Sequence, residues 1–205
     1  MTERPLTGRA RPDRTPHALP EWEAEGSYDA VKRGLKTLSP GQVLDMVAAA
    51  SVNGRGGADF PAANKWRFLP EAGTSPGDGP NHFIVNGDEM ELGAFKDRIL
   101  LEALPHQLIE GAVLVAYATR CAEVIILIRD EYRDAVADLT RAIAETEAAG
   151  YLGCDILGSG FDLGMWVHPS AGRYIIGEET ALIEAQEGKR GVPRKRPPFP
   201  AQIGL

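Results

Sequence analysis

Cysteine is scarce in this sequence: Cys121 and Cys154 are the only two among 205 residues. Their separation matches neither a disulfide framework nor a metal-binding motif, so they read as two reduced thiols of a cytosolic protein. Long apolar runs are also missing, and no stretch approaches the ~20 residues needed to span a bilayer. The opening segment MTERPLTGRARPDRTPHALPEW has no apolar core of the kind a secretory signal carries. An excess of positive charge is absent as well. With 22 Lys and Arg against 29 Asp and Glu, the net charge is −7, which argues against nucleic-acid binding by the chain as a whole. No internal repeat is present, and no histidine stands where it would complete a metal site with the acidic clusters. What remains is an ordinary globular composition, 43% hydrophobic and 25% charged. It suits one domain, or one domain with an extension.

The patterning predicts alternating elements. Residues 1–25 are rich in Pro and Arg and are expected to lie extended over another surface. A short amphipathic helix follows over Asp29 to Leu38. Ser39 and Pro40 make an N-cap and N1 pair for a helix running to about Ala50. A glycine loop comes next, then a polar turn region, EAGTSPGDGPN, over 71–81. His82 to Val85 reads as a strand that ends in Asn86-Gly-Asp-Glu89. Pro105 opens the apolar helix PHQLIEGAVLVAYATR. The run EVIILIR (123–129) is a buried strand, and 131–149 form a helix closed by Gly150. Met165 to His168 is a further strand candidate. A strand-like run, 171–177, then leads into a helix from Glu178 to about Glu187. Strands alternating with helices predict an α/β fold: a Rossmann-like parallel sheet with flanking helices, preceded by an N-terminal helical and glycine-loop segment. The expected division is residues 1–70 for that segment and 71–205 for the α/β domain. Ligands of such sheets bind outside the carboxyl ends of the strands.

Four constellations carry chemistry. In GRGGADFPAANKW (54–66), three glycines let backbone approach a ligand, and successive N–H groups suit an anion. A plain turn is the alternative. The third glycine of GxGxxG is missing, since position 59 is aspartate, and the motif follows a helix, so the dinucleotide fingerprint fails its context. Phe60 and Phe68 suit stacking on flat rings, Lys65 suits a phosphate or a polarised ring, and Trp66 reads as a core residue. In NGDEMELGAFKDR (86–98), clustered carboxylates repel one another unless they accept hydrogen bonds or bind donors such as ribityl, ribose or flavin N–H groups. A solvated acidic turn is the alternative. In AGRYIIGEETALIEAQEGKRG (171–191), Glu178 and Glu179 open a helix, as ordinary dipole partners or facing a ligand crevice. The basic run KRGVPRKRPPFP (189–200) is a solvated tail or an attractor of phosphates.

Taken in order, seven segments resemble the NADH-oxidising, FMN-binding subunits of respiratory complex I and their relatives in NAD-linked formate dehydrogenases and hydrogenases. They are RPLTGRARPDR, GRGGADFPAANKW, NGDEMELGAFKDR, PHQLIEGAVLVAYA, EAAGYLGCDILGSGFD, GRYIIGEETALIEAQEGKR and RPPFPAQIGL. The resemblance implies hydride transfer from NADH to FMN and electron delivery towards quinone, with no side chain acting as general acid or base. It places Gly54, Arg55, Gly56, Lys65, Asn86, Asp88, Glu89, Tyr174, Gly177 and Glu178 on FMN. It places Phe60, Phe68, Glu91, Glu179 and Phe199 around NADH, with Glu91 and Glu179 as positioning groups. It implies other peripheral-arm subunits as partners, especially the small [2Fe–2S] subunit, and a cytoplasmic location peripheral to the inner membrane, without direct membrane insertion.

The departures are specific. Asp59 and Ser170 stand where the family has glycine, Ile176 where it has cysteine, Arg196 where it has lysine, and Ala62-Ala-Asn64 replaces a Thr-Gly-Leu-like run. The family's ubiquitin-like and iron–sulfur domains have no counterpart here, and two cysteines cannot supply a [4Fe–4S] cluster with four thiolates. The expectation is therefore a piece of a longer protein or a shortened copy. The alternatives to the catalytic reading are a non-catalytic partner- or nucleotide-binding copy, or a diaphorase subunit of a formate dehydrogenase or hydrogenase.

Overall fold

The computed structural model describes residues 4–69, 79–170 and 172–205. The predicted turn over 71–81 falls mostly on 70–78, outside the described residues, as does Ala171. In chain order the elements are α1 (Leu19–Ala24), α2 (Asp29–Thr37), α3 (Pro40–Ala49), α4 (Ala62–Trp66), β1 (Asn81–Gly87), α5 (Lys96–Ala103), α6 (Pro105–Thr119), β2 (Cys121–Ile128), α7 (Arg133–Ala148), β3 (Gly164–Pro169) and α8 (Glu179–Gln186). The three strands form a parallel sheet in the order β1-β2-β3, so the predicted α/β architecture holds. No single helix among the described residues is long and apolar enough to cross a membrane.

The central strand explains the sheet. Val124, Ile126 and Ile128 enter the main core with α6 and α7, whereas Leu127 faces the other side and packs on Ile176 and Leu182. A strand buried on both faces needs a continuous apolar run, which VIILI supplies. Ser39 caps α3 as the sequence predicts: its hydroxyl accepts from Gln42 N–H and Gln42 Oε1 accepts from Ser39 N–H, at 3.3 and 2.8 Å.

Two predicted segments fold differently. Residues 1–25 are not simply extended, because Leu19 to Ala24 form α1, which buries Leu19 and Trp22. The strand-like run before Gly177 is a single 3₁₀ turn, Tyr174–Gly177. Ile176 is its buried residue, and a turn is enough to seat it on Leu127 and Leu182.

The N-terminal segment is anchored through a buried polar network. Tyr28 takes a left-handed φ of 61°, and its N–H donates to Glu110 Oε1 at 2.9 Å. Its hydroxyl lies 3.1 Å from His106 Nδ1 and 3.2 Å from Thr146 Oγ1, while His106 Nε2 meets Glu145 Oε2 at 3.1 Å. Burial holds His106 below the ordinary imidazole value; Glu145 opposes that shift and Arg141 adds to it. The unfolded chain therefore binds more protons than the folded one below the ordinary value of about 6.5. Stability is fully present above that pH and falls as pH drops through it. The urea midpoint should decrease between pH 7.5 and 5.5, and His106→Gln should flatten that slope.

Candidate functional site at the strand carboxyl ends

β1 ends at Gly87 and delivers Asp88 and Glu89; β3 ends at Pro169 and delivers Ser170. Asp88 and Glu89 are both 7% exposed, yet their surroundings differ. Glu89 Oε1 accepts from Asp97 N–H at 3.0 Å and Oε2 from Arg98 N–H at 3.1 Å, with Tyr132 Oη 3.3 Å from Oε2. Its carboxylate thus closes the N-terminus of α5, a helix with no side-chain cap at its own start. Asp88 Oδ1 accepts from Ser170 Oγ–H at 2.9 Å, while Oδ2 has no hydrogen-bond partner among the described residues. Burial raises the Asp88 carboxyl; Ser170 and Arg129 oppose this and Glu131 adds to it. Asn86 Nδ2 donates to Gly177 O at 2.8 Å, joining the end of β1 to the turn before α8.

That turn leads into Glu178, the N-cap of α8, which accepts from Thr180 N–H at 3.0 Å and Ala181 N–H at 2.9 Å and pairs with Arg196. Burial raises the Glu178 carboxyl, but these donors outweigh it and hold it below the usual range. Glu179 points elsewhere. Its Oε1 meets Arg196 Nη1 at 3.1 Å and its Oε2 meets Lys65 Nζ at 3.3 Å. Lys65 lies on α4, immediately after the glycine loop, so this contact joins the loop segment to the sheet edge across 114 positions of chain. On the same side of the turn, Tyr174 Oη donates to Glu91 Oε2 at 2.8 Å, which raises the Tyr174 hydroxyl.

The glycine loop is pinched at its base, where Gly54 N–H donates to Phe60 O and Ala62 N–H to Val52 O, at 2.8 and 2.9 Å. A Cβ at Gly56 or Gly57 would meet nothing within 4 Å, so packing does not demand glycine at either. Bare backbone of this kind suits the close approach of a flat ligand. Asp59 has a left-handed φ of 49° and its Oδ1 accepts from Arg55 Nη1 at 2.9 Å. Aspartate tolerates that conformation better than most residues. Phe60 and Phe68 pair with ring centroids 6.1 Å apart, and both are exposed. Trp66, expected in the core, is only half-buried. Phe199 lies three residues beyond Arg196, whose guanidinium holds Glu178 and Glu179, and its ring is exposed.

Lys65, Asn86, Asp88, Gly177, Glu178 and Glu179 are thus linked through direct contacts at one edge, with Glu91 and Tyr174 paired beside them. Sequence patterning does not single out Arg129 or Tyr132, which also reach this edge. Arg129 Nη1 donates to Glu89 O at 3.3 Å, and its place directly after the buried strand β2 is the available signal.

The family model described as the Nuo51 FMN-binding domain matches residues 47–205. The F subunit of the NADH-quinone oxidoreductase of Escherichia coli (strain K12) is 44% identical over 98% of this chain, and the protein of the same name in Aquifex aeolicus (strain VF5) is 47% identical over 98%. The chain spans 44% and 45% of those relatives' lengths. An NAD⁺-reducing [NiFe]-hydrogenase crystal structure in the H₂-reduced state matches 93% of this chain and 31% of its own, with a TM-score of 0.70 and 34% identity. The chain therefore belongs to the Nuo51 FMN-binding-domain family.

Proposed function

We propose that this chain is the FMN- and NADH-binding module of an NADH-quinone oxidoreductase. The observation that carries the reading is the Lys65–Glu179 contact, because it holds the helix that follows the glycine loop to the start of α8, next to the turn that Asn86 ties to the carboxyl end of β1, and this fold class binds ligands at such ends. Family membership supports FMN as the ligand, and the names of the relatives support NADH as reductant and quinone as the distal acceptor. Bound FMN would supply the redox chemistry, accepting a hydride from NADH and passing electrons on singly.

The chain's own residues bind and orient. Gly54, Arg55 and Gly56 give the flavin a close backbone surface, and Lys65 adds a cation. Asn86, Asp88, Glu89, Tyr174, Gly177 and Glu178 frame its opposite side, Asp88 through its unpartnered oxygen and Glu89 and Glu178 by holding α5 and α8 in place. Phe60, Phe68 and Phe199 stack with the nicotinamide nucleotide, and Glu91 and Glu179 position it. The electrons leave to other members of a peripheral arm, beginning with the small [2Fe–2S] subunit, on the cytoplasmic side of the inner membrane. The likeness to the NAD⁺-reducing hydrogenase supports the same chemistry in a diaphorase setting. A non-catalytic, nucleotide-binding copy is favoured by one observation, the Asp59 carboxylate occupying Arg55 within the loop.

The test is to purify the chain, add FMN and remove the excess. A retained flavin spectrum that bleaches anaerobically with NADH, together with NADH-dependent ferricyanide reduction, supports catalysis. Retained flavin without bleaching supports the non-catalytic copy. Flavin that washes away, with ferricyanide reduction at background, sinks the proposal for this chain.

A further inference from the structure

Ser170 is 4% exposed and sits directly after β3, where its N–H donates to Ile128 O at 2.7 Å and continues the pairing with β2 by one residue. Its hydroxyl accepts from Gly172 N–H at 3.3 Å and donates to Asp88 Oδ1 at 2.9 Å. A carboxylate terminus is a broad rotor, and this donor on a rigid strand end fixes it. With Oδ1 occupied, Oδ2 is left buried without a partner among the described residues. Leaving such an atom unpaired costs free energy, and a site normally resolves that cost with a donor. The neighbouring donors are already committed: Asn86 Nδ2 to Gly177 O, and Asp88 N–H to Asn86 Oδ1 at 3.3 Å.

We propose that Ser170 is a positioning residue for flavin binding: it locks the Asp88 carboxylate so that Oδ2 faces a hydroxyl or N–H donor of FMN. This rests on the flavin reading given above. The charged groups acting on Asp88 are Arg129 and Glu131, both just beyond β2. Burial disfavours the ionised carboxyl, and Ser170 is the first group that counters it, ahead of Arg129. Removing the hydroxyl therefore both frees the rotor and makes Asp88 easier to protonate.

FMN fluorescence quenching, titrated at pH 6, 7 and 8 on the full chain, reads this directly, with thermal unfolding measured alongside. Ser170→Ala should bind FMN about tenfold more weakly at neutral pH, the size of effect expected for loss of a hydrogen bond to a charged group. Its loss of binding on acidification should begin at a higher pH than in the parent. Ser170→Thr, which keeps the hydroxyl, should recover most of the affinity. Equal affinity of Ser170→Ala and the parent at all three pH values overturns the inference and leaves the flavin reading standing. So does a loss shared equally by the Ala and Thr variants and tracked by their unfolding temperatures, since that describes packing. A parent chain that takes up no FMN at all removes the flavin reading itself, and this inference falls with it.

Discussion

Gly56→Val is expected to weaken FMN binding at least about 100-fold, near 2.7 kcal/mol, while the unfolding free energy stays within about 0.5 kcal/mol of the parent. The two halves of that expectation have separate causes. A Cβ at Gly56 meets no heavy atom within 4 Å, and its φ is not among the positive ones. The folded protein therefore has room for a Cβ there with no left-handed φ to oppose it, and loss of a glycine even narrows the unfolded ensemble. On the proposed function, glycine at this position leaves room for the flavin to approach the loop from outside. Gly87→Ala is the matched control. A Cβ there would lie 2.9 Å from Leu127 O and 3.3 Å from Leu101 Cδ1, so it forces a shift in a packed core, at a cost of about 1–3 kcal/mol. Urea midpoints should separate the two variants, with the strand-end variant losing stability and the loop variant keeping it while FMN quenching reports its loss of ligand. Unchanged FMN affinity in Gly56→Val would mean that the loop faces only solvent.

The elements that the sequence revealed carry their causes locally. VIILI has its period and both its burial faces within itself, and 131–149 holds an apolar stripe closed by Gly150 at φ 77°. Ser39 caps α3 with Gln42, three residues away. The elements that escaped depend on distant partners. α5 starts without a cap of its own, because the carboxylate that closes it belongs to Glu89, on the loop after β1. α1 begins at Leu19, whose N–H donates to Glu145 Oε2 at 2.9 Å across 126 positions of chain, in a stretch whose prolines suggested extension. Tyr174 to Gly177 has strand-forming residues, but it needs only one turn to bury Ile176. The site shows the same division. Clustering identified Asp88, Glu89, Glu178 and Glu179 together, yet spacing cannot say which acids meet helix N-termini. Glu89 and Glu178 do, Glu179 meets Lys65 and Arg196, and Asp88 alone of the four leaves a buried oxygen unpartnered among the described residues. Those differences are tertiary, set by where α5, α8 and β3 end relative to one another.

Charge reversal at Lys65 is the other large effect expected. The Lys65–Glu179 pair is exposed, with 66% and 38% of the two side chains accessible. Exposed pairs of this kind add about 0–1 kcal/mol to stability at most. Lys65→Glu should therefore leave the unfolding transition nearly in place. At the sheet edge, however, a third carboxylate would face Glu178 and Glu179, with Arg196 the only cation left paired to them among the described residues. The loop segment should swing off the edge, and FMN affinity should drop about 100-fold through lost positioning. Adding Glu179→Lys to that variant restores the pair with its charges exchanged, although Arg196 then faces a cation at 179. Recovery of most of the FMN affinity in the double variant assigns Lys65 a docking role; failure to recover, with stability intact, assigns it direct contact with the flavin. Salt provides an independent axis, since screening at 1 M ionic strength shortens the Debye length to about 3 Å and should lower the parent's FMN affinity more than that of Lys65→Ala. A Lys65→Glu chain that binds FMN as tightly as the parent would detach the glycine loop from the site, and the proposed function would lose the contact on which it stands.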